Sequence, residues 1–211
     1  MSRRIALISL AIFGILLGGA WMTPDTWYVE RFIDIEAPPE LIWEYVATPG
    51  RWVEWTAWNP EADADYKVET FGGTQGFASG YRWTSARSVG ELRIIDSDPP
   101  QRIELEGVLE KRFPVQGSIE LSEGPAGTHV LWIEQGELGW DPLMRLFRPL
   151  IERHTGWDFD TGLETLKVLA EAEARERVPH PDAPTGTYQD AGDDDDSAGA
   201  PAGDDDSAEA P

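Results

Sequence analysis

The chain has 211 residues, with 39 acidic against 17 basic side chains, a formal net charge of −22, and no cysteine. The acidic excess argues against nucleic-acid binding, in which Lys and Arg neutralise phosphates. The missing cysteine rules out disulfides, thiolate zinc sites, iron–sulfur clusters and cysteine nucleophiles. Three scattered histidines, His129, His154 and His180, speak against a multi-histidine metal centre, so neither metal nor cofactor is expected.

The first element is a membrane segment. Ser2-Arg3-Arg4 precedes Ile5 to Met22, 18 residues without a charge, which make about 27 Å of helix at 1.5 Å per residue. The next basic residue is Arg31. The positive-inside rule therefore keeps the N-terminus in the cytoplasm and sends the rest of the chain out, as a single-pass cell-membrane protein with an extracytoplasmic domain. Gly18-Gly19-Ala20 also offers the small residues of a cleavage site, and cleavage would give a secreted or periplasmic protein. A buried helix is the third reading.

Trp27, Val29, Arg31, Ile33 and Ile35 alternate with Tyr28, Glu30, Phe32 and Asp34, which predicts a strand. Pro39 opens a short helix whose apolar face is Leu41, Ile42, Tyr45 and Val46, ended by Thr48-Pro49-Gly50. Trp52, Trp55 and Trp58 follow at intervals of three, and Asn59-Pro60 stops that run. Period-two segments then recur at 66–70, 80–86, 90–96, 102–109, 115–121 and 128–137. The breaks between them are Gly72-Gly73, Arg87-Ser88, Asp98-Pro99-Pro100, Arg112-Phe113-Pro114 and 123–127, so consecutive antiparallel pairing is the economical topology. A helix over 142–153 and a longer one from about Thr155 to Arg177 close the domain. On the longer helix Phe159, Leu163, Leu166, Leu169 and Ala170 form the stripe that crosses the sheet, and Gly162 sits inside that stripe. A mid-helix glycine costs about 1 kcal/mol relative to alanine, so it points to close packing or to space for a ligand.

Residues 182–211 hold nine Asp, one Glu and neither Lys nor Arg, leaving 29 acidic against 17 basic, or −12, for positions 1–181. The near-repeats 191–201 and 202–211 are too poor in apolar residues to form a core and are expected to be a disordered acidic tail. Three regions follow: an anchor or signal at 1–24, a folded domain at 25–177, and the tail at 178–211.

Within the domain, Ile35-Glu36-Ala37-Pro38-Pro39-Glu40, then Trp43, then Trp52-Val53-Glu54-Trp55-Thr56-Ala57-Trp58, resembles the opening of the polyketide cyclase/dehydrase and lipid-transport family. That family sits in the superfamily of START-related lipid-transfer and birch-pollen-allergen proteins (SRPBCC). Gly76, Tyr81, Trp83, Gly90, 98–100, 127–132, Phe159, 162–163 and 166–170 keep the family's order, so the resemblance covers roughly 28–172. It implies an α+β helix-grip fold, a curved antiparallel β-sheet wrapped around a long C-terminal α-helix with a cavity between them, here preceded by one transmembrane helix. It places Trp43, Trp55, Trp58, Tyr81, Trp83, Trp132 and Phe159, with Gly162 and Leu163, where ligand-binding walls belong, although each aromatic also serves as core. The acidic repeats and Leu143-Met144-Arg145-Leu146-Phe147-Arg148 depart from the pattern. The two arginines leave open an acidic ligand head group.

No catalytic constellation stands out. The glycine-rich stretch 72–76 reads as a hairpin turn, because no Lys-Ser/Thr follows and no helix opens after it. Glu91, Glu104, Glu106, Glu120 and Glu134 alternate with apolar neighbours and are expected on a solvated outer face, whereas any one turned inward becomes a candidate acid or base. Ser118, Ser122 and Thr128 lack a histidine at recognisable spacing, and His129 alternates to the face opposite Thr128. The leading function is a membrane-tethered binding or carrier domain for a lipid, quinone or polyketide-like molecule. A cyclase or dehydratase using the same pocket, and a protein-interaction domain like the Hsp90-activator relatives, are the alternatives. The expected partners are a hydrophobic small molecule or lipid and the membrane, not nucleic acid.

Overall fold

A computed structural model describes residues 2–177; the acidic repeats expected to form a disordered tail lie outside the described residues. Helix α1 (Ser2–Ala20) is followed by strand β1 (Thr26–Ile35), helix α2 (Pro39–Val46), a 3-10 turn (Pro49–Arg51) and helix α3 (Trp52–Trp55). Strands β2 (Lys67–Phe71), β3 (Gly80–Thr84), β4 (Val89–Asp98), β5 (Arg102–Leu109), β6 (Phe113–Gly124) and β7 (Gly127–Glu137) precede helix α4 (Pro142–Arg177). The seven strands form one antiparallel sheet in the order β1-β7-β6-β5-β4-β3-β2. Consecutive strands pair from β2 to β7, and β1 closes on β7 with Trp27 opposite Gly136 and Ile35 opposite Thr128. The curved sheet grips α4, as the resemblance implies.

Period-two alternation becomes burial. On β1, Trp27, Val29 and Ile35 are buried while Tyr28, Glu30 and Phe32 are exposed. On β7, Thr128, Val130, Trp132, Glu134 and Gly136 face α4. The helix presents Phe159, Gly162, Leu163, Leu166 and Ala170 to the sheet. Phe159 stacks on Trp132 with ring centroids 3.7 Å apart and 9° between planes. Trp55 meets Trp132 edge-on at 5.3 Å. At the other end of α4, Tyr45 donates to Glu173 (2.6 Å), and Arg177 bonds both Glu44 and Glu173, tying α2 to the last turn.

Three details differ from the sequence reading. The C-terminal helix is continuous through 153–155 rather than split, and at the buried Gly156 the missing Cβ admits the Arg31 guanidinium, whose nearest atom stands 2.2 Å from where that Cβ would be. Arg31 pairs with Asp160 at 3.0 Å. The break placed at 112–114 falls earlier: Glu110 and Lys111 take φ of 52° and 56°, and Phe113 and Pro114 already belong to β6. Two successive positive φ values make the tight turn whose twist matches a hairpin, here without the glycine or asparagine that signals it. Trp58 lies beyond the end of α3 rather than continuing the helical run.

Candidate functional site

The inner face of the sheet is not filled throughout. Glycine replaces a side chain at Gly90, Gly107 and Gly136, and larger neighbours lean over the gaps: a Cβ on Gly90 would stand 2.3 Å from the Trp83 indole, and one on Gly136 2.5 Å from that of Trp27. These two indoles therefore lie nearly flat on the strand. Opposite them, the first half of α4 and the 57–66 loop stand away from the sheet. A cavity of about 570 Å³ remains, walled by Trp27, Trp58, Trp83, Leu92, Met144 and Ile151. That volume falls within the usual range for small-molecule sites.

Of the nine residues anticipated from sequence, Trp58 and Trp83 line this cavity. Tyr81, Trp132, Phe159 and Leu163 are packed into the core behind it, and so are Trp43 and Trp55. Gly162 also lies away from the cavity, since its absent Cβ would rest 3.5 Å from Thr56 Cα, Trp55 O and the Trp132 ring. That is ordinary van der Waals distance, so a methyl group fits there between α4, α3 and β7, whereas a larger side chain does not, and this glycine opens no ligand space.

The polar lining is what the sequence reading missed. Four of the five strand glutamates lie on the outer face, where Arg82 bonds Glu91 at 2.6 Å, Arg93 bonds Glu106, and Arg102 bonds Glu104 and lies 3.6 Å from Glu120. Glu134 does not join them. It is 5 % exposed, lines the cavity, and forms no salt bridge among the described residues. Its position two residues after Trp132 on β7 assigns it to the inner face by strand parity, a signal present in the sequence but outweighed by its polar character. Burial pushes its carboxyl up to about 8, so near neutral pH it is a neutral hydrogen-bond donor.

Tyr66 lines the same cavity, and its buried Oη has no hydrogen-bond partner among the described residues. Burial raises its phenol to about 12, opposed by the Tyr81 hydroxyl nearby. Tyr81, itself pushed well above its ordinary value by burial, also feels Glu134. On the α4 side, burial raises Asp158, against the lowering influence of His154 at 3.8 Å and of Trp58. An unpartnered buried polar atom costs about 1–3 kcal/mol, which a ligand atom bonding to it recovers.

The lining carries five acidic residues, Asp63, Glu110, Glu134, Glu137 and Asp158, against Arg87 and His154. It does not favour an acidic head group, and the two arginines that left one open are engaged elsewhere. Arg145 bonds Gly139 O at 3.1 Å, and Arg148 bonds Glu152 at 2.8 Å. His129 pairs with Asp34 at 2.7 Å on the outer face, while Thr128 donates to Ala37 O inside, so the two diverge as parity requires. A larger hollow of about 800 Å³ on the opposite face is lined by the ion-paired Arg82, Glu91, Arg93 and Glu106 together with Gln116 and Gln135. Those charges already satisfy one another in solvent, so that hollow offers little to a ligand.

Solved structures share the domain's fold at low sequence identity. A protein from Rhodobacter sphaeroides is 15 % identical with a TM-score of 0.51, over 69 % of this chain and 93 % of its own. Protein Ms6760 from Mycobacterium smegmatis is 15 % identical with a TM-score of 0.51, over 71 % and 94 %. DynU16, a protein of the dynemicin biosynthetic locus, is 13 % identical with a TM-score of 0.51, over 72 % of this chain and 49 % of its own. No curated protein matches the chain. The family model described as polyketide cyclase / dehydrase and lipid transport matches residues 26–171, the whole span from β1 into α4 that builds the sheet, the grip and the cavity. The chain therefore belongs to the polyketide cyclase/dehydrase and lipid-transport family.

Proposed function

We propose that this domain binds a neutral hydrophobic small molecule of the lipid, quinone or polyketide-like kind, and that α1 tethers it to the membrane with the domain on the extracytoplasmic side. The observation that carries the reading is the cavity of about 570 Å³ with indole walls and two inward polar groups, the buried Glu134 carboxyl, which has no salt-bridge partner among the described residues, and the Tyr66 hydroxyl, which has no hydrogen-bond partner among them. Indoles and aliphatic side chains match an apolar body. A protonated carboxyl and a phenol are donors, so they match an acceptor oxygen such as a carbonyl or quinone oxygen. The acidic lining disfavours fatty acids and other anions. The tether is supported by the uncharged stretch of α1 that follows Arg3 and Arg4 and ends at Ala20.

A titration tests the binding. Neutral quinones and ketones added to the purified protein should shift tryptophan emission and raise the melting temperature, because a ligand that binds only the folded state stabilises it. Fatty acids of similar size should do so weakly. Thr155→Phe, which adds bulk from α4 into the cavity, should abolish the response without unfolding the protein. Equal responses in parent and variant would place binding elsewhere.

Glu134 favours a second reading, an enzyme in which its carboxyl hands a proton to a bound carbonyl oxygen during cyclisation or dehydration. A carboxyl held protonated near neutral pH has the poise such a step needs. Conversion of a bound candidate, abolished by Glu134→Gln while binding persists, would separate this reading from simple carriage.

A further inference from the structure

The first half of α4 carries a second apolar face that nothing in the domain covers. Leu143, Leu146, Phe147, Leu150 and Trp157 are all exposed, Leu150 at 62 % and Trp157 at 70 %. Their spacing puts them within about 100° of arc on the helix, roughly opposite the face that buries Gly156, Phe159 and Leu163. Arg153 and His154 flank the stripe and are exposed, and Arg153 forms no salt bridge among the described residues. The carboxylate nearest the stripe, Asp158, is half-buried and lies 3.8 Å from His154; exposed carboxylates appear on this side of the helix farther along, at Asp160 and Glu164, in a chain whose net charge is −22.

The same end of α4 sits where α1 ends. Trp21 meets Trp140 edge-on with centroids 5.4 Å apart. Arg145 reaches Thr23 O at 3.4 Å and Asp25 at 3.5 Å. Trp140 and Met22 are themselves 81 % and 89 % exposed, extending the apolar surface towards the membrane segment.

We propose that α4 docks at an incline on the bilayer, its first half immersed at the lipid interface through Leu143, Leu146, Phe147, Leu150 and Trp157. This rests on the reading that α1 spans the membrane. A lipid surface is the occupant because α1 holds the stripe at the bilayer, and because indoles and arginines beside an aliphatic stripe are the composition that interfaces select. Arg153 faces lipid phosphates, while Glu164, exposed and outside any salt bridge among the described residues, lifts the second half of the helix away from an anionic surface. Met144, Ile151 and His154, on or beside the same turns, line the cavity. Docking therefore brings the cavity wall to the bilayer, and an apolar ligand passes between lipid and protein without crossing water.

The absence of cysteine allows single nitroxide labels in the full-length chain. Phe13→Cys in α1, Leu150→Cys in the stripe, and Val168→Cys, exposed at 66 % farther along α4, are reconstituted in vesicles of phosphatidylcholine and phosphatidylglycerol. The proposal expects labels 13 and 150 to collide with oxygen in preference to an aqueous nickel chelate, and label 168 to do the reverse. If 13 reads lipid while 150 is as open to nickel as 168, the docking is wrong and the anchor stands. If 13 itself reads water, both fall. If 150 is shielded from both reagents and shows spin–spin broadening that unlabelled protein removes, a second copy covers the stripe and the proposal is overturned.

Discussion

Glu134→Gln isolates the energetic consequence of an inward carboxyl. In the unfolded chain the group ionises near its ordinary value of 4.5, whereas in the fold burial holds its proton up to about 8. Between those values the unfolded state has released a proton that the folded state keeps, so rising pH favours unfolding. The folded pKa is raised, so the favourable contribution is fully present below pH 4.5, is lost progressively as pH climbs, and stays lost above pH 8. The slope is about 1.4 kcal/mol per pH unit, or about 5 kcal/mol across the window. Glutamine keeps the shape and a donor but cannot ionise. Denaturant unfolding followed by tryptophan emission should give parent and variant nearly parallel behaviour up to about pH 5, then a growing advantage for the variant up to about pH 8. Asp158, also raised by burial, is present in both proteins and cancels in the difference. A difference that stays flat from pH 4.5 to 8 would refute the burial of an unpaired carboxyl at this position.

Tyr66→Phe removes a buried hydroxyl without a partner, so calorimetry should find stability unchanged or raised by up to about 1 kcal/mol, while titration finds weaker ligand binding. Gly90→Ala forces the Trp83 indole off the strand, which should cost about 1–3 kcal/mol in chemical denaturation and shift tryptophan emission. Gly162→Ala meets only ordinary contacts and gains helix propensity, so its melting temperature should hold or rise by the equivalent of up to about 1 kcal/mol; Gly162→Leu drives into Trp55 and Trp132 and should lower it. Phosphatase fused after Met22 should be active and β-galactosidase inactive; the reverse would contradict the orientation assigned to α1.

The fold was legible because its signals are local. Alternation on β1 and the Phe159, Leu163, Leu166 and Ala170 stripe each state which face is buried, and short breaks between strands leave consecutive pairing as the simplest topology. What completes the sheet, β1 against β7, is a pairing across the whole domain that no local signal encodes. The site was legible only in part. Aromatic residues mark the interior without distinguishing core from wall: Trp132 and Phe159 stack on each other, while Trp58 and Trp83 border empty space. That distinction depends on Gly90 and Gly136 letting indoles lie flat, and on the stand-off of α4, both set by packing between distant segments. Glu134 is a different case: its polar character points to the outer face, while strand parity with Trp132, two residues before it, puts it on the inner one.

Native mass spectrometry of the full-length protein, purified gently from cells and released from detergent, tests most directly whether the cavity holds a neutral hydrophobic ligand. The account predicts a bound species that survives purification, is identified after organic extraction as a neutral apolar molecule bearing an acceptor oxygen, and is missing from Thr155→Phe. A protein that carries only an anionic lipid, or one whose bound species persists unchanged in Thr155→Phe, would contradict it.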